Sequence, residues 1–282
     1  MIWGILSTFF LSFSTIFRKK AMNFKILIGD FWFMFLWMTW WITLFTIFLL
    51  SGKLNLGVFT PKYILLTITI GCLRIASTLI SQYVYKREKI SLLAPYENLN
   101  KILSIIISFF LFWDVSVISL CIALLVVGII FISSYNFKEK YIPKTIQIFS
   151  LNQVIISINT IIIWYMLLNI SALDFFMIDK VFTVAILFAI IVINKDIFKI
   201  KSLDKKFLQT RIIASVLGAL AYILSLYVIS EFWVTINILL SFIFLIFILT
   251  FSYLILWDKP TKKSIIVSIV VVILVWLWFY FK

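Results

Sequence analysis

Residues 115–134 read VSVISLCIALLVVGIIFISS, twenty residues without one charged side chain. At 1.5 Å per residue a helix of this length covers about 30 Å, the thickness of a bilayer's hydrocarbon core. A helix at a water-facing surface keeps one polar face, and this run has none. It is read as a transmembrane helix. Trp113 lies just before it and Lys138 and Lys140 lie beyond it, the aromatic and basic types that anchor a span at the membrane surface.

The same reading extends along the whole chain of 282 residues, 64% of them hydrophobic and only 13% charged. Soluble domains carry about twice that share of charge, so too little polar surface exists here to cover a water-facing globule. Ten spans are expected, at roughly 1–17, 28–50, 63–85, 90–112, 115–134, 146–168, 174–193, 207–229, 231–256 and 264–281. The expected fold class is an all-α integral membrane protein. No connection between spans is long enough to hold a soluble domain.

Charge orients the spans. Nineteen basic residues fall in clusters within 18–25, 86–89, 138–144, 195–211 and 259–263, whereas only Lys53, Lys62 and Lys282 fall on the opposite side. Basic residues stay cytoplasmic, which turns both termini outward and makes the cytoplasmic membrane the expected location. The cluster Arg18-Lys19-Lys20 follows the first apolar run, so that run is read as a retained helix and not a cleaved signal. The formal charge of +14 is accounted for by these topology signals, and nucleic acid is not an expected partner.

An internal repeat is visible at an offset of 144. Asp30-Phe31-Trp32 falls on Asp174-Phe175-Phe176, and Ser81, Tyr83 and Val84 fall on Ser225, Tyr227 and Val228. Ser108-Phe109-Phe110-Leu111-Phe112-Trp113-Asp114 falls on Ser252-Tyr253-Leu254-Ile255-Leu256-Trp257-Asp258. The scarce Asp, Ser, Tyr and Trp matches carry the comparison. Residues 1–137 and 146–282 thus form two expected five-helix halves. Five is odd, so the halves insert in opposite senses, an inverted repeat typical of secondary transporters.

The stretch Ile90–Ser133, with Phe110-Leu-Phe-Trp-Asp114 and then Gly128 in the next helix, resembles the closing part of a repeat in the drug/metabolite transporter superfamily, in particular its EamA-like ten-helix members. That resemblance implies ten helices in two inverted repeats and a permease activity.

Charges within a span are expensive and mark functional candidates. Arg74 lies near the middle of the third span, and Glu97, Asn98 and Lys101 near the middle of the fourth, just after Pro95. Glu97 and Lys101 are one turn apart and are expected to pair on one helix face. Pro95 leaves a carbonyl free one turn earlier and bends the helix. At offset 144 this polar stretch falls on the almost wholly apolar 239–245, so the frame is duplicated but the charge is not. Arg74, Glu97, Asn98 and Lys101 are therefore the expected substrate-binding or gating residues, with a purely architectural charge network as the competing reading. Asn152, Gln153, Asn159, Tyr222 and Asn237 are secondary cavity candidates. Asp179 and Lys180 sit nearer a helix end and weigh less, and Asp114 and Asp258 read as end caps.

The chain has no histidine, which excludes imidazole ligands and Ser-His triads. Cys72 and Cys121 lack a CxxC spacing and read as buried apolar residues, so neither a metal nor a cofactor is expected. No Walker A pattern is present, and no catalytic residue is nominated. The expected function is a secondary transporter of a small polar organic metabolite, an amino-acid-like zwitterion or an organic anion, working by alternating access. A coupling proton or a counter-solute would be its partner, beside membrane lipid. The alternatives are a lipid or lipid-linked-sugar flippase, and a membrane enzyme acting on a lipid head group.

Overall fold

The computed structural model describes residues 2–22, 38–40, 42–44, 46–47, 50–51, 56–97, 99–112, 116–134, 142–193 and 205–280; the side chains of 22, 56, 112, 134, 191, 231–242, 263 and 275–280 lie outside that description. Nine α-helices are defined within it. They are α1 Ile2–Met22, α2 Pro61–Tyr85, α3 Ile90–Glu97, α4 Leu99–Phe112, α5 Val117–Ser134, α6 Lys144–Leu167, α7 Ala172–Ile193, α8 Lys205–Leu256 and α9 Lys262–Tyr280. Further helical residues occur within 38–50, and no strand is present among the described residues.

Among the described residues, three segments are long and apolar enough to cross a membrane: Pro61–Tyr85, Lys144–Leu167 and Lys205–Ser230. Apolar Val117–Ser133, Ile243–Leu256 and Ser264–Leu274 are shorter. The burial pattern agrees with lipid as the solvent. Leu65, Phe110, Ile132 and Ile193 face outward, whereas Ser12, Ser14, Thr67, Asn152, Gln153 and Asp179 are wholly enclosed. Apolar surface is tolerated outside only where no water meets it, and polar groups must then find partners inside. The protein is an all-helical membrane protein. Cys72 and Cys121, expected inside, are free thiols on the outer surface.

Helix ends follow from local chemistry. Ser116, Ser171 and Thr261 each accept from the backbone N–H three residues on, which satisfies donors that the first turns of α5, α7 and α9 leave free. The Ser171 hydroxyl also donates to the Asp174 carboxylate at 2.7 Å. At the end of α8, Trp257 takes a left-handed conformation (φ 56°), which stops the helix and turns the Asp258 N–H back to the Ser252 carbonyl.

The helical residues of α8 span 52 positions, about 78 Å if they formed one straight helix. The element is not straight. Ser7 and Ser14 donate to the carbonyls of Ala221 and Ala214, so this part of α8 runs antiparallel to α1. Phe9 meets Phe247 and Phe13 meets Phe251, so the later part runs parallel to α1. A straight helix would separate Ala214 from Phe251 by about 55 Å, yet both touch neighbouring residues of α1. The element therefore reverses between Ala221 and Phe247, as the two expected spans 207–229 and 231–256 require. Gly218 permits the close approach, because a Cβ there would meet Ser14 Oγ at 2.8 Å and Arg18 Nη2 at 2.9 Å.

Two apolar clusters hold the helices together. One joins Ile16, Leu93, Ile102, Val126, Phe149, Ile248 and Val271, and the other joins Val58, Ile70, Ile163, Met166, Phe175 and Leu226. Each draws on residues from before 137 and after 146, so the two expected halves share their cores.

Candidate functional site

Pro95 is the place to begin, because it shapes the helix that carries the expected site. Having no N–H, it leaves the Ser91 carbonyl without a helical donor. The Ser264 hydroxyl supplies one, while the Ser91 N–H and hydroxyl each donate to Asp258 at 3.1 Å. Asp258 thus acts as a cap, but for α3 and not for its own helix. At the neighbouring end of α2, Lys19 donates to the carbonyls of Tyr85 and Glu88. These contacts fix where α3 and α4 enter the bundle and aim Glu97 and Lys101 inward.

The interior they face is a cavity of about 390 Å³ among α1, α2, α3, α4, α6 and α8. Its wall includes Arg18, Arg74, Glu97, Asn100, Lys101, Asn159 and Arg211, with Ser7, Thr8, Ser77, Ser81 and Ser225 between them. Arg74, Glu97, Lys101 and Asn159 were expected here and are brought together. Arg18 and Arg211 were not expected. A lone charge at mid-membrane is disfavoured by about 3 kcal/mol, so four cations around one space call for compensation.

At one end the compensation is internal. Arg74 Nη1 lies 2.8 Å and 2.6 Å from the two oxygens of Asp179, which is completely buried. Its Nη2 donates to Tyr222 Oη at 2.8 Å, and Tyr222 in turn donates to Asp179 at 3.1 Å. Lys180 adds a contact to Asp179 at 3.5 Å, with its ammonium 4.4 Å from the centre of the Tyr222 ring. Every member of this cluster is answered by another.

At the other end Lys101 has no such answer among the described residues. Glu97 accepts a hydrogen bond from the Tyr85 hydroxyl and feels the nearby Arg18 guanidinium. The expected Glu97–Lys101 pair is absent among the described residues: Glu97 is held by Tyr85 on α2, and the Lys101 ammonium has no hydrogen bond or ion pair there. Arg18 is exposed at the cavity's edge, and Arg211 is 6% exposed in its wall.

No protein-family model and no curated protein matches this chain.

The site must then be read from its own groups. Among the secondary candidates, Asn152 donates to Ser81 at 2.9 Å and Gln153 accepts from Asn100 at 3.0 Å, so both tie α6 to its neighbours. Tyr222 belongs to the Arg74 cluster, and Asn159 lines the cavity. Asn98, Asp114 and the side chain of Asn237 lie outside the described residues. Asp179 gained the most: five residues inside the expected seventh span, it is the counter-charge of Arg74. Arg18 and Arg211 escaped notice because they sit in basic clusters that serve as topology signals. The one available hint was that Gly218 and Ala214, small residues spaced by four, mark a close helix contact beside them.

Proposed function

We propose that the protein is a secondary transporter carrying a small polar organic solute, zwitterionic or anionic, across the cytoplasmic membrane by alternating access. The observation that carries this reading is the polar cavity itself, metabolite-sized and walled by four cations and one carboxylate inside apolar helices. Helix boundaries support the inverted repeat on which alternating access rests. The starts of α5 and α9, Val117 and Lys262, lie 145 residues apart, within one residue of the offset of 144.

In this mechanism Arg74 belongs to the first half, and Asp179 and Tyr222 to the second. Their cluster closes the outer end of the cavity across the halves, while Arg18 and Arg211 mark its cytoplasmic mouth. Admitting solute from outside requires the cluster to part, and the repeat supplies a mirrored closure at the other end. Glu97 is the group able to meet an ammonium or take up a coupling proton.

A lipid-linked substrate is the second reading. An apolar groove of about 480 Å³ lies between the last part of α8 and α9, lined by Leu249, Tyr253, Ile265 and Val272, and an acyl chain fits such a groove. It shares no lining residue with the polar cavity, which ranks this reading below the first.

Purified protein in liposomes, offered pooled labelled organic acids, amino acids and amines, tests the proposal. Saturable flux that falls in Glu97→Gln is expected. Turnover or flipping of lipid without any solute flux would overturn it.

A further inference from the structure

The groove between the last part of α8 and α9 opens on the outside of the bundle, where Ile246, Ile269 and Ile273 of its lining are each about half exposed. It shares no lining residue with the polar cavity, so its role is independent of the transporter reading. Contact with lipid tails asks only for an apolar wall, yet three hydroxyls interrupt this one: Thr250, Tyr253 and Ser268. None of the three hydroxyls has a hydrogen-bond partner among the described residues. Other helical hydroxyls behave differently, since Thr8, Thr67 and Thr160 bond back to the carbonyl four residues earlier. Without water in the hydrocarbon region, a free hydroxyl needs an acceptor that something else brings.

Charge at one end of the groove says what that is. Pro260 belongs to the lining there, and Lys259 and Lys262 are exposed beside it with no ion pair among the described residues. Lys262 falls on the same face of α9 as Ile265, Ile269 and Val272 of the lining, so it continues the groove's own stripe. The N-terminal end of α9 adds positive potential at the same place, and the adjacent Asp258 carboxylate is engaged by Ser91. Topology asks for cations on that side, but it asks for neither a groove nor hydroxyls below them. Thr250 lies six residues before the end of α8 and Ser268 six residues after the start of α9, about 9 Å along either helix. We propose that the groove binds one acyl chain of an anionic phospholipid from the surrounding bilayer. Its phosphate meets Lys259 and Lys262, its ester carbonyl accepts from the hydroxyls, and its chain follows Leu249 and Ile269 toward Ile273. The volume of about 480 Å³ equals about sixteen waters at about 30 Å³ each, which suits a single chain.

Full-length protein is extracted from vesicles of equal phosphatidylglycerol and phosphatidylcholine content, and lipid retained through detergent exchange is counted by native mass spectrometry. Preferential retention of phosphatidylglycerol is expected. Lys259→Gln combined with Lys262→Gln should lower it about tenfold and leave phosphatidylcholine as it was. Thr250→Val combined with Ser268→Ala should lower retention of either lipid about fivefold. Ile269→Trp fills the groove from its lipid-facing side and should abolish retention. Melting temperatures equal to the parent's in lipid-free detergent show that these losses are not losses of folding. Equal retention of the two lipids overturns the anionic head group, and retention indifferent to Ile269→Trp overturns the groove. A dimer that retains no lipid and that Ile269→Trp dissolves gives the groove to a second copy of the chain and overturns the proposal.

Discussion

The Arg74 cluster and the Lys101 end of the same cavity contain similar side chains and are built on opposite principles. Around Arg74 one buried carboxylate, Asp179, meets both Arg74 and Lys180, and a tyrosine hydroxyl bridges it to Arg74. Around Lys101 cations converge on a space that holds a single carboxylate, itself engaged by Tyr85. A buried ion pair leaves the protein with nothing to gain from a ligand, and removing one partner exposes the full desolvation penalty of the other. An unanswered cation costs the protein stability and is compensated only when something else arrives. The first arrangement ties helices together, and the second leaves Lys101 without a protein partner among the described residues.

Four substitutions test that contrast, the most damaging first. Asp179→Asn strands Arg74 and should destabilise the protein by about 3–5 kcal/mol, read as a fall in the detergent melting temperature. Adding Arg74→Met to it should recover most of the loss; no recovery would mean that the cluster is not an isolated pair. Gly218→Val pushes a side chain into Ser14 and Arg18 and should cost about 1–3 kcal/mol, with flux reduced because Arg18 is displaced from the mouth. Tyr222→Phe removes a bridging hydroxyl but leaves the ion pair, and about 1 kcal/mol is expected by the same measurement. Lys101→Met should leave the melting temperature unchanged or raise it, even as transport fails. A Lys101→Met protein that melts as early as Asp179→Asn would erase the distinction between the two regions.

Much of this arrangement was readable before any coordinates. Apolar runs such as 63–85 and 146–168 give helices of membrane length, Pro61–Tyr85 and Lys144–Leu167, because lipid imposes a length and a composition, and both are properties of consecutive residues. Arg74, Glu97 and Lys101 could be singled out for the same reason, since a charge inside such a run is conspicuous wherever its partner lies. Pairing was another matter. The spacing of Glu97 and Lys101 predicts a bond within one helix, but Tyr85 on α2 takes Glu97 instead. The partner of Arg74 lies 105 residues away on α7, a relation that no periodicity within either helix records. Arg18 and Arg211 were hidden by a double role, because a basic residue at a helix end orients the chain whether or not its side chain also turns into a cavity.

The contact between α1 and α8 has a consequence for how the protein is made. Ser7 and Ser14 bond to carbonyls 214 and 200 residues further along the chain. At about 5–20 residues per second, synthesis takes roughly 10–40 s to deliver them. For that interval part of the polar face of the first helix is unanswered, dependent on back-bonds such as Thr8 to Gly4 and Ser12 to Thr8. The hydroxyl-rich composition of α1 thus serves biogenesis as well as the finished bundle. Thr8, Ser12 and Thr15 have acceptors within their own helix, and those of Ser7 and Ser14 arrive only when α8 is made.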